Sequence, residues 1–387
     1  MQYRKFGKLN WKVSALGFGN LRLPVLDHND SVVNEPVAIQ MIRYAIDHGV
    51  NYIDTAYDYH DGASEAAVGK ALQDGYREKV KLATKMPTWL IKSKDDFDKY
   101  LNIQLKKLQT DKIDFYLLHT LDRGKWVNLK LHKVTEWAEK TIDKGLIDNI
   151  GFSFHDDLET FKEIVDYHDW TFCQILYNYV DYKREAGVEG LRYASSKGLA
   201  VNVMQPIQAG NLGITPLPEV QAIWDESHVK RTPAEWALQW AWNQPEISLV
   251  LSGMNSMAQV VENVKSAERS GIDKLTSNEL DLIERVRQKY LDVGLVGCTE
   301  CMHCQGCPEG ISIPEIIKIF NEYYASDKFM RNSAPSDDAS KKKYHDNIPE
   351  SKQANKCIKC GLCEDVCPQQ LPITKIMKNI AWIMGKK

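Results

Sequence analysis

Eight of the nine cysteines fall in the last quarter of the 387-residue chain, in two evenly spaced runs. The two runs consist of Cys298, Cys301, Cys304 and Cys307, and of Cys357, Cys360, Cys363 and Cys367. The second run has the C-x2-C-x2-C-x3-C-P spacing that holds 4Fe-4S clusters, and the first is one residue shorter before its last cysteine. Because thiolates at steps of three can wrap one iron–sulfur cube, the runs predict two 4Fe-4S clusters.

The expected ligand sets exchange one cysteine between the runs, because the fourth cysteine of such a run usually ligates the other cluster. We therefore assign one cluster to Cys298, Cys301, Cys304 and Cys367, and the other to Cys357, Cys360, Cys363 and Cys307. Zinc is the alternative, but all-cysteine zinc sites use paired C-x2-C knuckles with wider gaps between them. The ninth cysteine, Cys173, is predicted to be a buried core residue.

A second set of reactive side chains lies where predicted strands end in the cysteine-poor body of the chain. Asp54 ends one apolar run and Tyr59 follows it, while Lys85 and His119 end the next two runs. An Asp54–Lys85 ion pair would keep the lysine charged, and a lysine cation lowers the pKa of a neighbouring phenol. The set predicts Tyr59 as a proton donor near neutral pH and His119 as a hydrogen-bond partner for a substrate oxygen.

The elements that position these side chains alternate regularly through residues 13–268, with short apolar runs followed by amphipathic stretches. The predicted strands are Val13–Gly19, Tyr52–Ala56, Val80–Lys85, Ile113–Thr120, Ile147–Phe154, Phe172–Asn178, Ala200–Pro206 and Ile247–Gly253. Strict alternation with helices implies parallel strands joined by crossovers. Eight units in about 250 residues predict an α/β fold of the (β/α)8 TIM-barrel type. A doubly wound open sheet is the alternative, but its G-x-G-x-x-G fingerprint is missing.

The motifs around the strand ends resemble those of the aldo-keto reductases. The matching segments are Asp54–Tyr59 (D-T-A-x-x-Y), Ser64–Leu72 (S-E-x-x-x-G-x-A-L), and the lysine and histidine segments Leu82–Lys85 and Tyr116–His119. The resemblance covers about residues 1–290. It implies a carbonyl reductase that uses NAD(P)H, with Tyr59 as general acid supported by Asp54, Lys85 and His119. The motif spacing selects Tyr59 rather than Tyr57.

The resemblance also implies a nicotinamide site. The residues expected to contact NAD(H) or NADP(H) are Asn20, Ser153, Gln174, Met204, Gly253, Gln259, Glu262 and Asn263. This sequence has Phe154 where the family usually has asparagine, and Met204 where a tyrosine commonly stacks on the nicotinamide. Gly253 and Gln259 fall where basic residues usually bind the 2′-phosphate, so the choice between NAD and NADP stays open.

Residues 1–292 are predicted to form the barrel, and residues 293–387 a small α-helical ferredoxin-like domain that resembles the two-cluster module of one aldo-keto reductase branch. The expected function is the reduction of a small-molecule carbonyl, or the oxidation of an alcohol. The clusters would transfer electrons, with a redox partner protein, or serve as structure. Two alternatives stay open: an electron-transfer protein whose barrel acts without nicotinamide, and a non-catalytic regulatory subunit.

Composition indicates which binding partners and which cellular compartment to expect. With 49 Lys and Arg against 52 Asp and Glu, the net charge is −3, which argues against a nucleic-acid-binding surface. No apolar run approaches the roughly 20 residues of a membrane helix, and residues 1–10 lack the apolar core of a signal peptide. The sequence therefore predicts a cytoplasmic protein with neither a nucleic-acid nor a membrane partner.

Overall fold

The computed structural model describes residues 1–27, 29–213, 216, 218–293, 296–298, 300–330, 337–367 and 369–385. These residues form two compact units. The first unit consists of Met1–Ile207 with Ala234–Thr276, and the second of Gln208–Pro233 with Ser277–Lys387. The predicted division of the chain at residue 292 stays a prediction.

The first unit is built on a closed parallel barrel. In chain order the strands are β1 Tyr3–Lys5, β2 Lys12–Ser14, β3 Leu16–Gly19, β4 Tyr52–Asp54, β5 Lys81–Met86, β6 Ile113–Leu121, β7 Ile147–Phe154, β8 Phe172–Leu176, β9 Ala200–Met204 and β10 Ile247–Gly253. The strand order around the barrel is β10-β3-β4-β5-β6-β7-β8-β9, and parallel pairing of Val250 with Leu16 closes the ring. Closure confirms the predicted TIM barrel and excludes the open doubly wound sheet.

Helices alternate with the strands in the first unit, and further helices form the second unit. They are α1 Glu35–Asp47, α2 Ala63–Ala71, α3 Asp95–Leu108, α4 Arg123–Leu131, α5 Val134–Asp143, α6 Leu158–Tyr167, α7 Gly187–Ser196, α8 Pro218–Asp225, α9 Pro233–Trp242, α10 Met257–Glu268, α11 Ser277–Val293, α12 Ile313–Met330, α13 Asp337–Asn347, α14 Leu362–Asp365 and α15 Ile373–Met384. At Gly69, α2 approaches α3 so closely that a Cβ atom would lie 2.7 Å from the Lys107 carbonyl oxygen. Only glycine fits there, which explains the glycine of the S-E-x-x-x-G-x-A-L segment.

The amino-terminal end of the barrel is plugged by aromatic side chains. The antiparallel pair β1–β2 brings the fully buried Phe6 into a cluster with Tyr52, Phe115 and Phe172. The ring centroids of Phe6 and Phe115 are 4.8 Å apart, and Phe172 lies 5.2 Å from Phe115. Large rings fill the barrel interior at this end, which leaves the carboxyl ends of the strands as the place for a polar site inside the barrel.

The second unit has its own apolar core. Side chains of α12, α13 and α15 interlock there, including Ile316, Phe320, Tyr344, Met377 and Ile380, all of them buried. This packing confirms the predicted small helical domain. Among the residues that the structure describes, no helix has the length and apolar character needed to cross a membrane.

An ionic cluster braces the amino-terminal ends of β5 and β6. The buried Asp114 carboxylate accepts hydrogen bonds from Arg77 and Lys81, each at 2.7 Å, and from the Leu82 N–H at 2.9 Å. Burial alone would raise the pKa of Asp114, but the two cations and the N–H together hold it below its ordinary value. Because the folded pKa is lowered, this stabilisation is complete above the ordinary aspartate pKa and is lost as pH falls through the lowered one.

Replacing Asp114 with asparagine should therefore lower the free energy of unfolding by about 2 kcal/mol at neutral pH, since two cations lose their buried partner. Urea denaturation followed by tryptophan fluorescence measures the loss, which should shrink under acid conditions. The exposed neighbour Asp111 supplies the control, because Asp111→Asn should change stability little. Equal stability of the two variants would contradict the bracing role of Asp114.

Candidate active site and metal centres

A buried lysine joins the two predicted catalytic residues nearest to it. Asp54 ends β4, Lys85 lies near the end of β5, and Tyr59 begins the 3-10 turn Tyr59–Gly62 just after β4. Lys85 Nζ lies 2.6 Å from Asp54 Oδ2, 2.7 Å from the Thr55 carbonyl oxygen and 3.2 Å from Tyr59 Oη. Because lysine only donates, Tyr59 Oη accepts this hydrogen bond and its own proton stays available to another acceptor.

The charges around Tyr59 act against ionisation of its phenol. Burial is the largest cause that raises the pKa of Tyr59 well above its ordinary value of 10.0, and the carboxylates of Asp54 and Asp58 add to it. The direction is opposite to that predicted from the sequence, because burial and the two carboxylates outweigh the effect of nearby cations. Burial also raises the pKa of Asp54, against the attraction of Lys85. Tyr59 therefore holds its proton at neutral pH, as a proton donor must.

His119, the fourth predicted catalytic residue, lies on β6 beside the phenol. Its ring centroid is 5.8 Å from that of Tyr59 and 5.4 Å from that of Trp89, whose side chain is 41% exposed. His119 Nδ1 lies 3.5 Å from Asp58 Oδ1, and Thr88 Oγ1 donates a hydrogen bond to the His119 carbonyl oxygen. The imidazole thus lies beside both the Tyr59 phenol and the Trp89 indole.

A buried polar network behind the site explains several residue types of the S-E-x-x-x-G-x-A-L segment. Glu65 Oε1 accepts hydrogen bonds from Thr84 Oγ1 and Gln104 Nε2, each at 2.7 Å. Tyr116 Oη donates to Gln104 Oε1 at 2.6 Å, and Ser64 Oγ lies 2.9 Å from Thr55 Oγ1. These bonds join α2 to β5, α3 and β6, so they fix the strands that carry Lys85 and His119.

His60 positions the Tyr59 turn and was missed by the sequence analysis. It is buried, with a positive φ of 54°. Its Nε2 accepts a hydrogen bond from the Leu23 N–H at 3.1 Å, so Nδ1 is the protonated nitrogen, which donates to the Asp30 carbonyl oxygen at 2.8 Å. The ring ties the segment after β3 to the turn after β4. Both partners are 30 or more positions away in the sequence, so no local pattern points to this role.

Two predicted cofactor residues carry buried carbonyl oxygens without a protein partner. Asn20 donates to the Asp54 carbonyl oxygen at 2.7 Å, and Gln174 Nε2 donates to Met204 Sδ at 3.7 Å. Asn20 Oδ1 and Gln174 Oε1 have no hydrogen-bond partner among the described residues. Two buried acceptors at the carboxyl ends of barrel strands fit a ligand that donates N–H groups, as the carboxamide of a nicotinamide does. Ser153 lies on β7 and its Oγ accepts the Thr120 N–H at 2.7 Å.

The four predicted cofactor residues near β10 differ in whether they face the strand end. Gly253 ends β10, and Asn263 Nδ2 donates to Ser252 Oγ at 3.1 Å. Gln259 Oε1 accepts the Asn255 N–H at 2.9 Å, so that side chain caps its own helix. Glu262 is half-buried on α10. The structure therefore places Asn263 against the strand end but turns Gln259 back onto α10.

The eight tail cysteines lie in two groups that do not follow the two runs. Cys298 and Cys304 interact electrostatically with Cys301 and with Cys367, while Cys363 interacts with Cys357 and Cys307. A cavity is lined by Cys307, Cys357, Cys360 and Cys363. In each group, therefore, the fourth cysteine comes from the other run.

The thiol groups suit an iron–sulfur cube. Burial first, and neighbouring thiols second, raise the pKa of Cys298 to about 11, of Cys304 to about 12 and of Cys363 to about 11. Thiols of this kind ionise only beside a strong positive charge, which iron supplies. Within the described residues, no three His, Cys, Asp or Glu side chains converge on a single metal ion. A cube of four irons is wider than one ion and is held by cysteines that stand further apart.

Comparison with known families accounts for both parts of the chain. The sequence matches the family described as "Aldo/keto reductase family" over residues 15–287, and the "4Fe-4S dicluster domain" over residues 297–371. The chain therefore belongs to the aldo-keto reductase family and carries a C-terminal 4Fe-4S dicluster domain, which confirms both resemblances. Family membership and oxidoreductase relatives identify it as an enzyme of aldo-keto reductase type.

Among curated relatives, a probable aldo-keto reductase 1 from Glycine max is 27% identical over 297 residues, which cover 67% of this chain and 82% of that protein. L-galactose dehydrogenase from Arabidopsis thaliana is 28% identical over 309 residues, or 73% of this chain and 94% of that protein. The holo form of an aldo-keto reductase from Bacillus halodurans aligns with a TM-score of 0.62 at 27% identity, covering 74% of this chain and 96% of that one. A Klebsiella pneumoniae aldo-keto reductase in complex with NADPH aligns with a TM-score of 0.61 at 25% identity, with the same coverages.

Proposed function

We propose that the barrel reduces a small-molecule carbonyl to an alcohol, and runs the reverse oxidation, with NAD(H) or NADP(H). The observation that carries the proposal is the buried Lys85 ammonium, which bridges the Asp54 carboxylate and the Tyr59 phenol. An NADPH-bound relative of the same fold supports the choice of cofactor class.

Each side chain has a separate task in the proposed reaction. A bound nicotinamide would supply the hydride that the carbonyl carbon accepts. Tyr59 Oη gives its proton to the carbonyl oxygen, and Lys85, which donates to Tyr59 Oη, compensates the negative charge that then develops on the phenol. Asp54 holds the Lys85 ammonium in place by its 2.6 Å contact. The His119 ring orients the carbonyl oxygen towards Tyr59.

The side chains proposed to hold the nicotinamide surround its carboxamide. Asn20 Oδ1 and Gln174 Oε1 would accept its N–H groups, which would satisfy two buried oxygens that have no hydrogen-bond partner within the described part of the chain. Ser153 would add a hydroxyl from β7, and Met204 Sδ would pack against the ring. These roles rest on the geometry at the ends of β3, β7, β8 and β9, of which the last three are neighbours in the barrel.

For the tail, we propose two 4Fe-4S clusters in a domain that starts near residue 293, with the exchanged ligand sets described above. Cys360 is exposed, as are its neighbours Ile358, Leu362 and Val366, so one cluster would lie near the surface. This exposure supports electron exchange with an external redox partner protein. Thiolate clusters also favour a reducing compartment such as the cytoplasm.

Titration of the holoenzyme under anaerobic conditions tests the cofactor proposal. NADPH or NADH should quench tryptophan fluorescence with saturation, and small aldehydes should be reduced. Gln174→Met should weaken binding about tenfold, because the carboxamide loses one hydrogen bond in a buried site. Gln40, exposed on α1, supplies the matched control Gln40→Met, which should bind normally.

Two readouts of that titration separate the candidate functions. Absence of binding by both nucleotides would contradict nicotinamide use and favour a barrel that acts without it. The visible absorption of the clusters should stay unchanged during carbonyl reduction, because a hydride carries two electrons to the substrate directly. Bleaching of the clusters by NADPH alone would contradict a separate, externally fed role for them.

A further inference from the structure

Arg22 is a half-buried arginine without a carboxylate partner at the carboxyl end of the barrel. It ends the 3-10 turn Asn20–Arg22, directly after β3. Its guanidinium makes no hydrogen bond or ion pair with any residue that the structure describes. Arg77 and Arg184 are also half-buried, and each is bound by an aspartate. A guanidinium with its donors uncommitted is suited to a ligand oxygen anion.

The side chain of Arg22 crosses the end of the neighbouring strand. A Cβ atom on Gly253, the last residue of β10, would lie 3.1 Å from Arg22 Cγ and 3.3 Å from Arg22 Cβ. The arginine stem thus fills the space that a side chain at Gly253 would need. Its charge also reaches the active site: burial raises the pKa of Tyr59, and Arg22 acts in the opposite direction.

The surrounding segment supplies no competing cation. Between Arg231 and Lys265 the sequence contains neither lysine nor arginine, and this stretch includes all of β10 and the first two turns of α10. Loops after the last strands of a TIM barrel frequently bind phosphate groups. Arg22 therefore brings a guanidinium from the first barrel strand to a rim that has no positive charge of its own.

We propose that Arg22 binds an anionic oxygen group, a carboxylate or a phosphate, at the rim formed by the ends of β3 and β10. The inference rests on the proposed function for the source of that group, which is either the substrate or the nicotinamide cofactor. In both cases the planar guanidinium makes paired hydrogen bonds to two oxygens of one group. Arg22→Gln should leave folding unchanged, because the guanidinium has no hydrogen bond or ion pair to lose with any residue that the structure describes.

The experiment compares Arg22→Gln and Arg22→Lys with wild type, and uses Lys12→Gln as control. Lys12 is an exposed cation on β2, at the other end of the barrel. Dissociation constants for NADPH and NADH are measured by fluorescence. The KM is measured for succinic semialdehyde, which carries a carboxylate, and for butanal, which does not. Loss of a charge-assisted pair of hydrogen bonds should raise the dissociation constant or the KM of the probe that Arg22 binds by about ten- to a hundredfold. Arg22→Lys should restore only part of the lost affinity, because lysine lacks the forked pair of N–H donors of a guanidinium.

The pattern of losses identifies the source of the anion. Weaker binding of both nucleotides assigns Arg22 to the diphosphate, and weaker binding of NADPH alone assigns it to the 2′-phosphate. A higher KM for succinic semialdehyde alone assigns it to the substrate. Unchanged values for all four probes would overturn the proposal.

A separate readout distinguishes failure of this inference from failure of the proposed function. Calorimetric titration with inorganic pyrophosphate and with malonate needs neither nicotinamide binding nor turnover. If wild type binds no nucleotide, binding of either anion that is lost in Arg22→Gln still supports the anion site. Equal binding, or none, in wild type and Arg22→Gln would then overturn it.

Discussion

Replacing Tyr59 with phenylalanine should reduce the rate of carbonyl reduction at least a hundredfold. The substitution removes one hydroxyl from a ring held by its turn, so the pocket keeps its shape. A positioned general acid contributes roughly 10²–10⁴-fold to the rate. Steady-state kinetics with an aldehyde measures the loss, and fluorescence titration should show nucleotide affinity near that of wild type.

Tyr57 offers a matched control from the same motif. Its ring is half-buried and packs edge-on against Tyr100 at 5.3 Å, away from Lys85 Nζ. Tyr57→Phe removes the same hydroxyl two residues away and should keep wild-type activity. If Tyr57→Phe loses activity while Tyr59→Phe retains it, the assignment of the proton donor from motif spacing is wrong.

The raised pKa of Tyr59 gives this enzyme a characteristic pH dependence. The acid form of the phenol persists to above its ordinary value of 10.0, so the chemical step of reduction should be flat through neutral pH. Oxidation of an alcohol needs the phenolate as base, so its rate should rise with pH over the same range. Lys85→Met removes the adjacent cation and should move the oxidation profile to still higher pH.

Sequence reasoning was most successful where a pattern is repeated along the chain. Alternation of short apolar runs and amphipathic stretches predicts the barrel, because every βα unit repeats the same burial pattern. Ile147–Phe154 and Ile247–Gly253 coincide with β7 and β10. The predicted strand Val13–Gly19 instead splits into β2 and β3, because Val13 pairs with β1 whereas Leu16 joins the barrel.

Features that depend on distant partners were not predictable. The break between α4 and α5 is one example, since α5 begins at Val134 because Lys133 adopts a φ of 61°. His60 and Arg22 acquire their surroundings from chain segments 30 or more positions away. The pKa of Tyr59 is raised by burial first and by the carboxylates of Asp54 and Asp58 second, and sequence spacing does not contain the burial of the ring.

The cluster ligands allow a test that separates two ways of grouping the same eight cysteines. If each cube were held by one run, Cys367 would share a cluster with Cys360. In the structure Cys367 interacts with Cys298 and Cys304, while Cys360 lines the cavity with Cys307. The two groupings therefore predict opposite results for pairs of substitutions that include Cys367.

Wild type purified without oxygen should contain about eight irons per chain, as two four-iron cubes require. In the double variant Cys367→Ala/Cys301→Ala both substitutions fall on one cube, so about four irons should remain. In Cys367→Ala/Cys360→Ala each cube loses a ligand, so iron should fall towards zero. Iron and sulfide assays measure these values, and Cys173→Ala, in the barrel core, is the control that should keep all the iron.

If Cys367→Ala/Cys360→Ala kept about four irons and Cys367→Ala/Cys301→Ala kept almost none, the exchanged ligand sets would be wrong. That result would favour grouping of the ligands by run. Stoichiometric zinc with little iron in wild type would contradict clusters altogether. The tail should stay folded in these variants, because α12, α13 and α15 pack around an apolar core that includes Tyr344 and Met377. Misfolding can therefore be detected separately from loss of iron. Aldehyde reduction by the barrel should persist in both double variants, since Asp54, Tyr59 and Lys85 bind one another without help from the tail cysteines.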